Sequence, residues 1–277
     1  MSVFLVQENG MRTKNWVLVC VMIFCVPVCA AAAEYRGLIE PHQVIKVGSP
    51  QAGVLATVAV DRGEYVKKGQ VIATLQSGVE RASMEIARYK SQMDAGVKGK
   101  EANLLFFTRK KERIEHLSKK DLAAQADMDE AETNRLLSEI QVKEARENKE
   151  LDGLEYKRSV EIVNRMTIRS PVDGVVMDRY LSPGEYVESE PIVKIAEIDP
   201  LNVEVIIPSS QLHVIKKGMT ATVMPAAPVE GKYTAKVKIV DKVVDAASGT
   251  YGVRLELPNP DRKLPAGIKA KVVFKDK

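Results

Sequence analysis

Metal ligation and thiol chemistry are the first things to look for in this sequence, and the residues that would carry them are spaced for neither. His42, His116 and His213 lie far apart, and none has a His, Cys or acidic partner at ligand spacing, so no zinc site is expected. The methionines at 84, 93, 128, 166, 177, 219 and 224 are dispersed, which suits packing better than a copper-handling cluster. Cys20, Cys25 and Cys29 all fall in the first 33 residues, within or just beyond an apolar run from Val17 to Val28. That run follows Arg12 and Lys14 and precedes the small residues Ala30–Ala33, the order of a secretory signal; Met11 is a second candidate start. It is shorter than the roughly 20 residues of a membrane span, so an uncleaved anchor is the lesser reading. Cleavage after Ala31 or Ala33 would leave an exported chain with no cysteine and no tryptophan, which excludes disulfides and thiolate metal sites there. No nucleophile elbow, phosphate loop or metalloprotease motif occurs, so neither an enzyme nor a cofactor is expected. A net charge of +4 and 5% aromatic residues give no footprint for nucleic acid.

The informative spacing is a repeat. Residues 49–66 align without a gap on residues 170–187, and eight of the 18 positions are identical: Ser, Pro, Gly, Val, Gly, Glu, Tyr and Val. Two copies 121 residues apart in one short chain read as two halves of one module with an insertion between them. In the first half, Val44–Val47, Val54–Val60, Tyr65–Val66 and Val71–Leu75 read as short strands after a short lead, with Val54–Val60 apolar enough for a buried one. Gly53, Gly63, Gly69, Gly174 and Gly184 punctuate the two halves, each expected to supply a positive φ or a close approach that a Cβ would forbid.

The insertion, residues 79–163, has a different texture. There is no proline between Pro50 and Pro171, and these 85 residues hold 17 basic and 18 acidic side chains. The clear break, Ser118–Gln125, divides them into two helical arms that must run antiparallel, each about 55–60 Å long. A rough heptad of Ile86, Met93, Val97, Leu104, Phe107 and Ile114 on the first arm, with Leu137, Ile140, Leu151 and Leu154 on the second, is the expected seam. So thin a stripe among balanced charges describes a projecting hairpin. The run Leu104–Phe107 wraps the helix cylinder and leaves apolar surface for core packing or for a second contact.

After Asp199 the pattern returns to short strands near 201–207, 219–224, 232–243, 250–257 and 268–274, with a short helix at Ser209–Leu212, and reads as a small antiparallel barrel. The predicted fold is therefore α+β: a split, mostly β sandwich interrupted by a long antiparallel α-hairpin and followed by a barrel. The predicted divisions are a signal peptide at 1–33, the first β half at 34–78, the hairpin at 79–163, the second half at 164–199 and the barrel at 200–277.

The β halves resemble those of lipoyl or biotinyl carrier domains, in which a modified lysine sits on the connecting hairpin. Here that stretch is Leu75–Glu80, and no lysine occurs from 69 to 89. The whole arrangement is similar to the periplasmic adaptor subunits, or membrane fusion proteins, of Gram-negative tripartite efflux pumps. The resemblance rests on Gly63–Gln70, Thr167–Val176 and Leu264–Val272. It implies location in the periplasm, assembly into a homo-oligomeric ring, commonly a hexamer, a hairpin tip that meets an outer-membrane channel, and a barrel that meets an inner-membrane transporter. At the tip, Arg113 and Leu117 match the family's Arg and Leu, Ala124 stands where a Ser is usual, and Asp129 is family-like. A resistance-nodulation-division transporter is the first expectation, because the signal reads as cleavable; an ATP-driven exporter is the second. Rivals are a pump-independent exported scaffold and a carrier domain.

Overall fold

The computed structural model describes residues 34–275, so the expected secretory signal at 1–33, with Cys20, Cys25 and Cys29, lies outside the described residues. Two strands span both β modules. β1 (Glu34–Gly48) and β8 (Pro191–Pro208) pair antiparallel from Gly37 opposite Val205 to Gly48 opposite Pro191, with slips after Pro41 and Val47.

At one end of this ribbon, β9 (Thr220–Pro225), β10 (Tyr233–Val240), β11 (Thr250–Leu257) and β12 (Ile268–Phe274) complete a closed barrel in the order β1-β12-β9-β10-β11-β8. Alternation puts Tyr251, Val253, Leu255 and Leu257 of β11 inside, against Leu201, Val203, Val205 and Ile207 of β8. The closing strand is Glu34–Ile39, a segment the predicted divisions place in the first β half. Without it, β12 and β8 would present open edges to water.

At the other end, β2 (Gly53–Val58), β3 (Tyr65–Val66), β4 (Val71–Leu75), β5 (Thr167–Arg169), β6 (Gly174–Arg179) and β7 (Tyr186–Val187) build the sandwich. One layer runs β5-β4-β2-β7; the other places β3 and β6 beside β8. The repeat is visible as a two-fold in the hydrogen bonds. Gly63 N–H donates to Val176 O at 2.9 Å and Gly184 N–H donates to Leu55 O at 2.8 Å, each half closing on the other. Glu64 Oε2 caps Asp61 N–H at 3.0 Å, and Glu185 Oε2 caps Ser182 N–H at 2.8 Å. Val66 and Val187, the last residues of the motif, are both wholly buried in the shared core. Strand β2 is less buried than expected: Leu55 points inward, while much of the remainder faces out.

The glycines differ in role. Gly63, Gly69 and Gly184 have φ of 87°, 82° and 91°, a region costly to any residue with a Cβ. Gly174 has an ordinary φ, but a Cβ there would lie 2.4 Å from Ala196 O. Gly53, its repeat mate, needs neither property, since a Cβ would make only van der Waals contact with Leu75 at 3.7 Å. The expectation of a special requirement at Gly53 is therefore corrected.

Between β4 and β5 rises the hairpin of α1 (Gly78–Ser91), α2 (Ala95–Ser118) and α3 (Gln125–Arg165). The 41 residues of α3 extend about 60 Å. The first arm is two helices, interrupted at Gln92–Asp94, where the sequence predicts one. The interruption coincides with a shift in the inward-facing positions, which step by three at both Ser91–Asp94 and Asp94–Val97 before resuming the three-four alternation. Lys149 of α3 pairs with Asp94 at this point, and its hydrogen bond and charge hold the Asp94 carboxyl below its ordinary range.

The seam also differs from the expected one. On α3 the inward positions alternate by three and four through Ala131, Arg135, Ser138, Val142, Ala145, Lys149, Asp152, Tyr156 and Ser159. These are mostly small or polar. Leu137, Ile140, Leu151 and Leu154 lie off this stripe, Ile140 and Leu154 almost opposite it, and are more than half exposed. On the first arm Val97 and Leu104 face inward, but Ile86 and Met93 do not. Charged pairs join the arms: Lys111 to Glu132 at 2.5 Å, Arg146 to Glu101 at 2.7 Å and Lys110 to Glu130 at 3.5 Å.

Candidate docking surfaces

The hairpin tip is built by a helix stop. Leu122 N–H donates to Leu117 O at 3.0 Å and Asp121 N–H donates to Ser118 O at 2.9 Å, the paired bonds of a Schellman motif. Asp121 takes the left-handed position that glycine usually fills, with φ of 56°; Asp tolerates this because its short side chain is polar. The motif sets Leu117 and Leu122 at its C3 and C″ positions, and both are exposed, Leu122 by 70%. On the other side of the turn Ala124 has no side-chain oxygen to cap α3. Asp127 Oδ2 accepts from the Ala124 N–H at 3.2 Å instead. Ala124 can stand at this position because the cap comes from the third residue of the helix.

The four tip residues anticipated from sequence are all exposed and flank this turn. Arg113 lies on α2 one helical turn before Leu117, and among the described residues it makes no ion pair. Asp129 lies on the first turns of α3, where its Oδ1 accepts from Gln125 Nε2 at 3.0 Å. Leu122 and Asp121 were not anticipated. The available signal was an Asp followed by a Leu just past two lysines at a helix end. The basic run Arg109–Lys111 supplies Lys110 and Lys111 to the ion pairs with α3.

A second exposed apolar surface lies at one end of the barrel. The 3-10 turn Ser209–Gln211 is held over β1 and β11 through Gln211, whose side-chain oxygen accepts from the Tyr35 hydroxyl and whose backbone oxygen accepts from the Tyr251 hydroxyl at 3.1 Å. Burial raises the Tyr251 pKa and keeps it a donor. Beyond it His213 takes a φ of 79°. Leu212 and Ile215 of this segment, with Val240, Asp241 and Lys242, line a groove of about 450 Å³. Val214 and Val243 stand beside it, Val243 being 82% exposed. Among the described residues no group of three or more His, Cys, Asp or Glu side chains converges on a metal position, and no helix is long and apolar enough to cross a membrane.

A split sandwich, an inserted hairpin and a closed barrel in this chain order agree with the comparisons. The family model of the CzcB-like, barrel-sandwich hybrid domain matches residues 43–197, and that of the CusB-like, beta-barrel domain matches 201–277. The chain belongs to the membrane fusion proteins of efflux systems. Among curated members it is 23% identical to the cobalt-zinc-cadmium resistance protein CzcB of Cupriavidus metallidurans, over 78% of this chain and 39% of that one. It is 24% identical to the macrolide export protein MacA of Yersinia pestis, over 85% and 66%. The chain thus spans about four-tenths of CzcB and two-thirds of MacA. Among solved structures, MacA from Actinobacillus actinomycetemcomitans shares the fold with a TM-score of 0.75 at 20% identity, covering 88% of this chain and 79% of that one. In this membrane fusion protein the lipoyl-like sandwich keeps its two-fold strand pairing without the carrier lysine, and its connecting hairpin has become α1–α3.

Proposed function

We propose that this membrane fusion protein is a periplasmic adaptor that bridges an inner-membrane transporter and an outer-membrane channel in a tripartite efflux pump, working as a ring of identical copies, six by resemblance. Its mechanism is geometric and involves no reaction on a substrate. The hairpin, with Arg113, Leu117 and Leu122 at its tip, reaches the channel. The barrel end around Leu212 and Val243 meets the transporter. A resistance-nodulation-division transporter is the partner we favour, from the cleavable form of the N-terminal signal.

The observation that carries this reading is where the large apolar side chains of the hairpin lie. Its arms meet mostly through small side chains and ion pairs, with Val97, Leu104 and Val142 among the apolar groups between them, while Leu105, Phe106, Leu137, Ile140, Leu151 and Leu154 are turned outward and Leu117 and Leu122 crown the tip. Exposed apolar surface on this scale marks contact with other proteins. The experiment is affinity purification of the tagged chain from cross-linked cells, comparing Leu117→Asp with Val243→Asp. The expected result is that the first variant loses an outer-membrane protein and keeps an inner-membrane one, and that the second does the reverse. Co-purification of neither class with the unaltered chain would refute the bridge.

A further inference from the structure

One cationic cluster takes no part in either docking surface. In the ladder between β1 and β12, Arg36 stands directly opposite Lys271, and Leu38 opposite Lys269. Side chains alternate across a strand, so these four share one face, and all three cations are exposed on the outside of the barrel. Like charges placed opposite each other in an antiparallel pair repel and weaken it. Here the repulsion is only partly relieved: Lys271 Nζ lies 3.2 Å from a Glu34 carboxylate oxygen, while Arg36 and Lys269 make no ion pair among the described residues. On the neighbouring strand, β9 sets Met224 opposite Lys271. Met224, Pro225 and Ala226 form the apolar floor of a pocket of about 300 Å³ whose rim is Arg36, Lys269 and Lys271; Ala270, which also borders it, is buried in the barrel core.

A free inorganic anion would use this rim but not the floor, and an apolar ligand would use the floor but not the rim. We propose that the outer face of β1, β12 and β9 binds anionic phospholipid at a membrane surface. The phosphate sits among Arg36, Lys269 and Lys271, and the adjoining methylenes lie against Met224 and Pro225. The site would hold the barrel against the bilayer whichever transporter stands beside it, so it does not rest on the adaptor reading.

The test is co-sedimentation of the exported chain, purified without detergent, with vesicles of phosphatidylcholine alone or mixed with phosphatidylglycerol. Each cation facing an anionic membrane contributes about 1 kcal/mol, a factor of about five in affinity. Binding is expected to require phosphatidylglycerol. The triple variant Arg36→Gln, Lys269→Gln, Lys271→Gln should weaken it on the order of a hundredfold, and Met224→Asn should weaken it severalfold with the charge intact. The hairpin triple Lys90→Gln, Lys100→Gln, Lys157→Gln, with the same change in net charge, should leave it within about twofold, as rim and floor are untouched. Circular dichroism melts confirm that each variant is folded. Equal loss in the hairpin triple would reduce the effect to net charge and overturn the site. So would equal binding to neutral vesicles, or displacement by soluble glycerophosphate at the phospholipid's own concentration. Capture of an acidic inner-membrane protein through these cations, with vesicle binding unchanged by their loss, would also overturn it and assign the face to protein.

Discussion

The barrel and the hairpin are built on opposite plans. In the barrel the large aliphatic side chains are inside: Leu201, Val203, Ile207, Leu255 and Leu257 are wholly buried. In the hairpin the fully buried residues of α3 are Ala131, Ser138, Val142 and Ser159, and the leucines are outside, Leu151 by 62%. The barrel spends its hydrophobicity on its own stability. The hairpin holds together mostly through close approach of small side chains and ion pairs, and leaves its large apolar side chains exposed.

This contrast breaks most sharply under mutation. Leu255→Ala should cost about 2–5 kcal/mol, because it removes a wholly buried side chain from a closed core; a thermal melt reads it directly. Within the sandwich, Gly174→Ala should cost about 1–3 kcal/mol or more, since its Cβ would meet Ala196 O. Gly53→Ala, at the same place in the repeat, should be neutral or stabilise by up to about 1 kcal/mol. In the hairpin the sign of size reverses. Ser138→Leu puts a larger apolar group into a seam with room only for a small one, and should destabilise by about 1–3 kcal/mol. Leu151→Ser on the outer stripe should change stability by less than about 0.5 kcal/mol while weakening assembly, measured by native mass spectrometry.

The smallest expected effect concerns acid. Hydrogen bonds from Arg135 and Lys111 lower the Glu132 pKa from 4.5 to about 2. A carboxylate depressed in the folded state contributes stability that is complete above its unfolded pKa, near 4.5, and is lost as pH falls through about 2. Glu132→Gln should therefore lower the thermal melting temperature slightly at neutral pH, and the two chains should converge as pH falls through about 2. The pair is exposed, so the difference is small.

The β modules were readable because their rules are local. The motif shared by Gly63–Val66 and Gly184–Val187 needs a positive φ, a capping Glu and a buried Val in fixed order, and both copies show all three. The closing barrel strand was not readable, since the partner of Glu34–Ile39 lies more than 200 residues away in the chain. The hairpin seam was misplaced for a physical reason. A heptad through the largest apolar residues assumes that they face the partner helix, which is a property of cores. On α3 the inward register belongs mostly to small and polar residues, and Leu137–Leu154 marks the outside. At the tip, Arg113 and Leu117 were found by resemblance, whereas Asp121 and Leu122 follow from the helix-stop geometry that the backbone reveals.

The most direct test uses the absence of cysteine from residues 34–277. A single Leu117→Cys substitution, loaded with a heterobifunctional photo-crosslinker in whole cells, reports by mass spectrometry what the tip touches. A dominant adduct with an outer-membrane channel protein is the expected result. Self-adducts or unrelated soluble proteins alone, with Val243→Cys likewise missing any inner-membrane transporter, would contradict the bridge and leave an exported scaffold in its place.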